Sequence, residues 1–402
     1  MIVQKPKLLV INSNYPSESN LYGDVFVHSR LKHYTQNFEI QVLGCNETLK
    51  QNESYVYEGI SVINTCSKKE FKDYINSNYP DLIAIHFVAG WMVDVIKQFT
   101  IPVFIWVHGF EALGWYRRLF NFHLKDIYSL FRYILSNTRQ MFFMHQLIQY
   151  SNKTGKVKFV FVSDWMRKIT QIDTLSNVKN YEIIPNPIDE TMFAYQAKKT
   201  EHRKKILLIR SFGSKKYAND IAIKAIEILS KEDFFKDINF SIYGEGKYFN
   251  KLTQKIQKFE NVNLYNAFIE HKNIPMVHKS HGIFLCPTRQ DAQGVSMCEA
   301  MSSGLVPITS DNTAIPEFVN KKCAFLTQSP FDIAQAIKRM YFDENLFIQM
   351  SKNASEHIKA ISGNKFVIKK EISMLFEDLL YEDNNLMKDE DNDKRNNKGD
   401  NS

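Results

Sequence analysis

The chain has 402 residues, of which 44% are hydrophobic and 24% are charged. This length predicts two domains that can each bury a core, and the composition excludes a chain that is disordered throughout. The formal net charge is +7, and because the last 21 residues (382–402) hold four basic and seven acidic side chains, the remaining body carries +10. A basic body suits anionic partners such as nucleotides, phosphates or lipid headgroups.

Other features exclude several classes of partner and compartment. The basic residues are spread along the chain and form no recognisable nucleic-acid module, so no nucleic-acid partner is expected. The five cysteines are isolated and never spaced as C-x-x-C, which argues for a reducing compartment and against a zinc site. The N-terminal apolar run is too short for a secretory signal. The longest apolar run, residues 82–93, is too short to span a membrane. We expect a cytoplasmic protein, either free or peripheral on the inner face of the membrane.

Short apolar runs alternate with longer amphipathic segments along the chain. Strand, helix, strand over this length predicts α/β architecture, with parallel sheets covered by helices. The strands predicted in the first half are 7–12, 38–43, 81–86, 102–108, 158–162 and 181–184. Those predicted in the second half are 205–210, 239–243, 262–265, 283–286, 306–309 and 324–327. The predicted fold is two Rossmann-like domains that face each other across a cleft.

The alternation is interrupted after Pro185-Asn186-Pro187, where a polar stretch, AKKTEHRKK, follows. Parallel sheets bind ligands at the carboxyl ends of their strands, so two tandem domains would share one cleft. The predicted units are an N-terminal domain at 1–187, a ligand-binding domain at 204–361, a helix at 362–381 that packs back toward the N-terminal domain, and a low-complexity, disordered tail at 382–402.

The strongest chemical pattern lies between Thr288 and Val319. A predicted strand ends at Pro287, and a loop with Gly294 leads into a helix, whose N-terminus would present free N–H groups to an anion. Asp291 lies in the loop and Glu299 one turn into the helix, so a carboxylate flanks each side of the predicted phosphate site. A plain strand-to-helix turn with solvated carboxylates is the alternative.

Two further groups follow predicted strands. Arg210 ends a strand, and Lys215 and Lys216 lie in the loop after it, where a guanidinium and an ammonium can bridge a diphosphate. The alternative is a basic surface turn. In the other domain His108 begins the sequence His-Gly-Phe-Glu and could reach the reacting centre across the cleft, although a histidine at a strand end is more often structural.

These residues together resemble family-four retaining glycosyltransferases, a GT-B family of the glycosyl transferases group 1. The donor-site signature is matched by Asp291, seven intervening residues and Glu299, continuing EAMSSGLVPI. The family's first acid is glutamate, whereas this chain has aspartate. Further matches are Arg210 with Lys215 or Lys216, the sequence His108-Gly-x-Glu, the segment Pro185-Asn-Pro-Ile-Asp189, and Gly23 in the loop after the first strand.

The resemblance implies that residues 1–187 form the acceptor-side domain and residues 204–361 the nucleotide-sugar donor-binding domain, and it implies a role for each matched residue. His108, Asp291 and Arg210 would be catalytic, and the donor would be bound by Gly23, Arg210, Lys215, Lys216, Gly294, Val295 and Glu299. The implied reaction moves a sugar from a nucleotide-diphosphate sugar to a hydroxyl of a glycan or lipid-linked acceptor with retained configuration, in bacterial surface polysaccharide synthesis. No metal or other cofactor is expected, because basic side chains and a helix dipole would stabilise the leaving diphosphate. A nucleotide-sugar epimerase of the same fold and a non-catalytic nucleotide-sugar-binding partner are the alternatives.

Two expectations concern specificity. Asp291 is about 1.5 Å shorter than glutamate, and with its neighbour Gln293 it either tunes the sugar pocket to a different donor or marks a decayed site. The segment 112–150 holds ten aromatic and five Arg/Lys residues against one acid, and Leu124, Ile127, Phe131 and Leu135 fall on one helical face. That face would serve the acceptor side at an anionic membrane surface, or it would pack into the core.

Overall fold

The computed structural model describes residues 5–20, 23–122 and 126–379. The strands of its first half are β1 (Lys7–Ile11), β2 (Glu39–Cys45), β3 (Glu53–Tyr57), β4 (Ile60–Thr65), β5 (Leu82–His86), β6 (Val103–Val107), β7 (Val157–Phe161) and β8 (Tyr181–Ile183). The helices between them are α1 (Val25–Tyr34), α2 (Lys68–Asn78), α3 (Val93–Ile96), α4 (Ile127–Thr154) and α5 (Asp164–Thr174).

The first sheet has eight strands in the order β3-β4-β2-β1-β5-β6-β7-β8. Every residue of β5 and β6 is buried, as expected for strands covered by helices on both faces. The chain leaves β1 toward β2 on one side and returns to β5 on the other, so the strand order reverses between β1 and β5. Such a reversal opens a crevice at the carboxyl ends of the strands.

One pair of strands departs from the predicted pattern. β3 and β4 form an antiparallel hairpin with the two-residue turn Glu58-Gly59 at the edge of the sheet, and neither strand was predicted. Our prediction relied on continuous apolar runs, whereas an edge hairpin alternates buried and exposed residues. The sheet is therefore mixed at this edge rather than wholly parallel.

The second half forms a six-stranded sheet. Its strands are β9 (Lys205–Ile209), β10 (Asn239–Tyr243), β11 (Val262–Tyr265), β12 (Ile283–Cys286), β13 (Val306–Ser310) and β14 (Phe325–Thr327). Its helices are α6 (Asn219–Leu229), α7 (Phe249–Thr253), α8 (Ile274–Lys279), α9 (Val295–Ser302), α10 (Ile315–Phe318), α11 (Pro330–Phe342) and α12 (Glu344–Ser362). The order β11-β10-β9-β12-β13-β14 is parallel throughout and reverses between β9 and β12.

The chain crosses between the two sheets twice, and the crossings are bonded to each other. Ile188 N–H donates to Ser362 O (2.7 Å), and Asn364 N–H donates to Ile188 O (3.0 Å). Residues 364–379 then form a helix whose apolar face packs into the core of the first sheet. Within that core Arg30, which is fully buried, pairs with Glu371 of the final helix at 2.9 Å. The last residues, including the tail at 382–402 that was predicted to be disordered, lie outside the described residues.

Direct contacts also join the two halves across the cleft. The Glu317 carboxylate accepts from the N–H groups of Asp164 and Trp165 at the start of α5 (2.8 and 2.6 Å). Ser214 Oγ donates to Asn121 Oδ1 (2.7 Å). Within the described part of the chain, none of the helices combines the length and apolar character needed to cross a bilayer.

Candidate functional site

Arg210 follows β9 at the strand reversal of the second sheet. Its side chain is 6% exposed, yet Nε and Nη2 have no hydrogen-bond partner. The loop after β10 fits tightly against it: a Cβ on Gly244 would lie 1.9 Å from Arg210 O, so only glycine is tolerated there. A buried charge without a partner costs free energy, and such a group is retained where a ligand supplies the missing contacts.

The structure separates the two lysines that follow Arg210. Lys216 lines the same cavity as Arg210, whereas Lys215 does not. The backbone carbonyls of both lysines are held by Arg289: its Nη1 donates to Lys215 O and its N–H to Lys216 O, each at 2.7 Å. The Arg289 guanidinium is itself fixed by Asp220 (2.7 Å). This geometry favours Lys216 as the ammonium that accompanies Arg210.

The loop between β12 and α9 is shaped by Asp291. Its Oδ1 accepts from Gly294 N–H (2.9 Å), and Gly294 adopts the left-handed conformation (φ +78°) at the start of α9. Since the first N–H groups of a helix have no intrahelical acceptor, those of Val295 and Ser296 are left for an anion. Both residues line the cavity that contains Arg210.

Gln293 lines the same cavity as Arg210, and its side-chain amide is held by the chain backbone. Its Nε2 donates to Asn186 O (3.0 Å), and its Oε1 accepts from Asn186 N–H (2.7 Å). The amide thus binds the backbone of the crossing segment. Asn186 Oδ1 in turn accepts from Arg30 Nη2 (3.2 Å). Gln293 therefore couples the loop before α9 to the first crossing between the sheets.

His108 follows β6 and reaches the cleft from the opposite side. Its Nε2 lies 2.9 Å from His86 Nδ1, and its own Nδ1 is buried without a partner. Burial, together with the positive charge of Arg30, holds the pKa of His108 well below its usual range, so the ring is neutral near pH 7. Glu111 shapes this loop by accepting from the N–H groups of His108 and Gly109. Burial raises the pKa of Glu111 to about 7 although these hydrogen bonds lower it.

Glu299 is 9% exposed and pairs with His271, whose Nε2 lies 2.8 Å from Oε1. Burial lowers the pKa of His271, but the hydrogen bond and charge of Glu299 outweigh it, so the pKa lies above its usual value. His271 lines another cavity of about 600 Å³ at the other end of the cleft, toward the crossing segment.

The cavity between the two halves has a volume of about 370 Å³, and we call it the interdomain cavity. Of the residues that the sequence singled out, it is lined by His108, Arg210, Lys216, Asp291, Gln293, Gly294 and Val295. Gly23, Lys215 and Glu299 lie outside this lining. Gly23 has a packing role, since a Cβ there would lie 2.6 Å from Asn14 O.

Sequence reasoning missed several residues at the site. Phe26, Phe110 and Arg118 line the interdomain cavity, and His271 binds Glu299. No local signal marks His271, because its partner is 28 residues away on a different element. Among the described residues, no group of three or more His, Cys, Asp or Glu side chains is placed to hold a metal ion.

The comparisons with known proteins agree on the family and the fold. A family model described as "Glycosyl transferases group 1" matches residues 190–357. The GtfA subunit of the UDP-N-acetylglucosamine–peptide N-acetylglucosaminyltransferase of Streptococcus agalactiae is 28% identical over 166 residues, which are 40% of this chain and 32% of that protein. The match thus spans about a third of the length of that relative.

Two solved structures extend the likeness to both halves of the chain. Sucrose-phosphate synthase from Thermosynechococcus elongatus superposes with a TM-score of 0.72 at 12% identity, over 94% of this chain and 100% of that one. HepE from Anabaena, solved with UDP and glucose, superposes with a TM-score of 0.66 at 14% identity, over 92% of this chain and 99% of that one. The predicted GT-B fold and the group 1 resemblance are confirmed. Residues 190–357 match the model of the glycosyl transferases group 1, and they form part of a chain with the GT-B fold.

Proposed function

We propose that this protein transfers a sugar from a nucleotide-diphosphate sugar to a hydroxyl group of a glycan or lipid-linked acceptor, with retention at the anomeric carbon. The observation that carries the proposal is the buried Arg210 guanidinium, which has two unpartnered nitrogens in the interdomain cavity. The group 1 family model supports a sugar transferase. The UDP bound to HepE makes UDP-sugars the first donors to test.

The residues of the interdomain cavity would have different roles in such a transfer. Arg210, Lys216 and the N-terminus of α9 would bind the diphosphate and stabilise the charge that develops as it leaves. The neutral His108 would face the donor sugar from the other side of the cleft. Asp291 is the single carboxylate among the described residues that line this cavity, so the pair of carboxylates used in double displacement by retaining glycosidases has no counterpart in the cavity.

A screen of nucleotide sugars tests the reaction. Purified protein is incubated with UDP-, GDP- and ADP-sugars, with and without candidate acceptors, and nucleotide release and product configuration are followed by NMR. Transfer with retained configuration is expected. Isomerisation of the donor without an acceptor would identify an epimerase, and nucleotide-sugar binding without any turnover would identify a non-catalytic partner.

We further propose a place at the inner face of the cell membrane, in surface polysaccharide or glycolipid assembly. Ile127, Phe131 and Leu135 of α4 are between 56% and 73% exposed, so the alternative that this face packs into the core is wrong. Arg132 and Arg139 lie on exposed positions of the same helix. Apolar side chains flanked by arginines match the chemistry of an anionic lipid surface. Leu124, which was predicted on the same face, lies outside the described residues.

Binding to lipid vesicles tests the proposed membrane location. We expect the protein to sediment with phosphatidylglycerol vesicles at low salt and to release as salt rises, because screening weakens attraction between exposed charges. The double variant Phe131→Ser/Leu135→Ser should lose most of the binding. Phe366→Ser, which changes an equally exposed aromatic residue of the C-terminal helix, serves as the control. Equal sedimentation of the double variant and wild type would exclude a contribution of this face.

Asp291 is expected to act both on its loop and on the donor sugar. Asp291→Ala should inactivate, since it removes the acceptor for Gly294 N–H as well as the charge. Asp291→Asn keeps an oxygen at that position and isolates the effect of the charge. Asp291→Glu should slow transfer with the native donor and leave nucleotide affinity nearly unchanged. These rates and affinities decide the question: faster transfer by Asp291→Glu would indicate a decayed site, and full activity of Asp291→Ala would mean that the carboxylate has no role.

Transfer is expected to be independent of divalent metal. The positive charges of Arg210 and Lys216 and the N-terminus of α9 can neutralise a leaving diphosphate, which is the task that a metal ion performs in other transferases. Rates measured in a chelator should equal those measured in magnesium or manganese. Activity that disappears in the chelator and returns with either ion would contradict this expectation.

A further inference from the structure

His86 is the last residue of β5, and its ring stacks on two rings from the neighbouring strand and the residue after it. In the register of β5 and β6, His86 pairs with Trp106. Side chains two residues apart on an extended chain point to the same face, so His108 follows Trp106 on that side of the sheet. The centroid of the His86 ring lies 5.0 Å from that of Trp106 and 5.2 Å from that of His108. The ring of His86 is therefore placed against the ring that reaches the cleft.

A hydrogen bond joins the two histidines through His86 Nδ1 and His108 Nε2, which are 2.9 Å apart. His86 is only 2% exposed. Burial, and after it the positive charge of Arg30, hold the pKa of each ring well below its usual range, so both are neutral near pH 7. A neutral imidazole has one N–H and one bare nitrogen, so one ring donates and the other accepts. The position of the proton on His86 thus fixes the tautomer of His108.

This hydrogen bond leaves one ring nitrogen of His108 for a ligand. Nε2 is occupied, whereas Nδ1 is buried and has no partner in the protein. His108 lines the interdomain cavity, where the donor sugar is proposed to bind. A group that contacts substrate is effective only when neighbouring hydrogen bonds and packing hold it in one geometry. The contact that fixes the His108 ring therefore bears on the rate of transfer.

Phe87 packs against the same ring, and its backbone is strained. The ring centroids of Phe87 and His108 are 4.6 Å apart, and Phe26 adds an edge-on contact at 4.9 Å. The φ angle of Phe87 is +62°, in the left-handed region that bulky side chains rarely occupy. Strained residues persist where the surrounding structure imposes them, and they concentrate at functional sites. The turn after β5 is held in a form that places both of its aromatic residues on His108.

We propose that His86 is a positioning residue for the transfer: its Nδ1 fixes the tautomer and the orientation of the His108 ring, and Phe87 supports that orientation by packing. This inference rests on the proposed function, in which His108 faces the donor sugar. His86 does not itself line the interdomain cavity, so its effect on the reaction passes through His108.

Replacing His86 by two amides of different length is the most direct test. The amide of His86→Asn lies about where Nδ1 lies in histidine, whereas that of His86→Gln reaches one bond further, to about the position of Nε2. His86→Leu removes both nitrogens. His145→Leu is the matched control, because His145 is a half-buried histidine in the same half of the chain, with Nδ1 2.7 Å from Ser176 Oγ.

Three quantities are measured for each variant. Turnover is followed with UDP-glucose or, if it is inert, with the donor found in the nucleotide-sugar screen. UDP affinity is measured by calorimetry. The tautomer of His108 is read by NMR of the imidazole nitrogens; because the chain has 11 histidines, the His108 signals are identified as those that disappear in His108→Asn.

We expect a single His108 tautomer in wild type and in His86→Asn, and a mixture in His86→Leu and His86→Gln. These last two variants should lower kcat about two- to tenfold, the loss of one hydrogen bond, whereas His86→Asn should keep the wild-type rate. Phe87→Asn, which tolerates a left-handed backbone but lacks the ring, should lower kcat by a similar factor. UDP affinity should be unchanged in all four variants, and His145→Leu should change none of the three quantities.

The inference would be overturned by a mixture of His108 tautomers in the wild type, by a full rate of His86→Leu or Phe87→Asn, or by equal losses in His86→Asn and His86→Gln. The last result would show that His86 fills space and that its Nδ1 has no role. Failure of the proposed function is distinguishable, because the wild type would then neither bind UDP nor turn over any nucleotide sugar, whatever the tautomer of His108.

Discussion

Replacing Arg210 by alanine is expected to lower the rate of transfer about ten- to a hundredfold, because one charge-assisted contact to a developing charge contributes about 1.5 to 3 kcal/mol. The loss should appear in both kcat and kcat/KM, since the diphosphate carries most charge as its bond to the sugar breaks. Arg210→Lys should recover only part of the rate, because an ammonium lacks the planar fork of donors.

Replacing Arg210 is expected to impair activity but not to lower the stability of the fold. The Nε and Nη2 atoms of Arg210 have no partner in the protein, so Arg210→Met removes an uncompensated buried charge and should not lower the free energy of unfolding. Denaturant unfolding checks this, with Arg339→Ala, an exposed arginine on α11, as the control for activity. Near-full activity of Arg210→Ala would refute the donor site, and marked destabilisation of Arg210→Met would show that the guanidinium is structural.

Glu299→Ala is expected to cause a loss of similar size, about ten- to a hundredfold, through weaker nucleotide binding. The resemblance assigns this glutamate to the ribose hydroxyls. Its Oε1 already binds His271, which fixes the carboxylate and leaves its other oxygen for a ligand. Glu299→Ala should therefore raise the Kd for UDP, whereas Asp291→Asn should not. Equal UDP affinity of wild type and Glu299→Ala would refute the ribose assignment.

The His271–Glu299 pair also predicts a pH dependence of stability. The pKa of His271 is raised above 6.5 in the folded protein, so the protonated form is favoured by folding. This contribution is fully present below pH 6.5 and is lost as the pH rises through the raised pKa. The difference in unfolding free energy between wild type and His271→Gln should therefore be largest below pH 6.5 and shrink at alkaline pH. A double-mutant cycle with Glu299→Gln should show coupling that is largest below pH 6.5 and falls as the pH rises through the raised pKa of His271. A difference that is independent of pH would mean that the pair is not ionic.

Some of this site was accessible from short stretches of sequence. Arg210, His108 and Asp291 each follow a continuous apolar run, and the carboxyl ends of parallel strands are where such sheets bind ligands. Gly294 indicated where α9 begins, because it lies in the loop between a predicted strand and a predicted helix. These features depend on a few neighbouring residues, and the periodicity of side chains along the chain reports them.

The sequence left two questions open that the packing of the folded chain answers: which way one face of α4 points, and which of two adjacent lysines lines the cavity. The spacing of Ile127, Phe131 and Leu135 indicates one face of a helix, but it does not show whether that face meets the core or the solvent. Only the packing of α4 in the folded structure shows that the face is exposed. Lys215 and Lys216 are adjacent and chemically alike. Only the folded structure shows that Lys216 lines the interdomain cavity and that Lys215 does not.

The sequence by itself determined the α/β alternation, the break after Pro187 and the residues that end the strands, because these follow from local propensity and hydrophobic spacing. Only the tertiary structure showed what those residues bind: Gln293 is held by Asn186, 107 residues away, and Arg30 by Glu371, 341 residues away. That the buried Nε and Nη2 atoms of Arg210 have no hydrogen-bond partner was likewise visible only there. Whether a buried polar atom has a partner depends on every group that packs around it, and these groups come from distant parts of the chain.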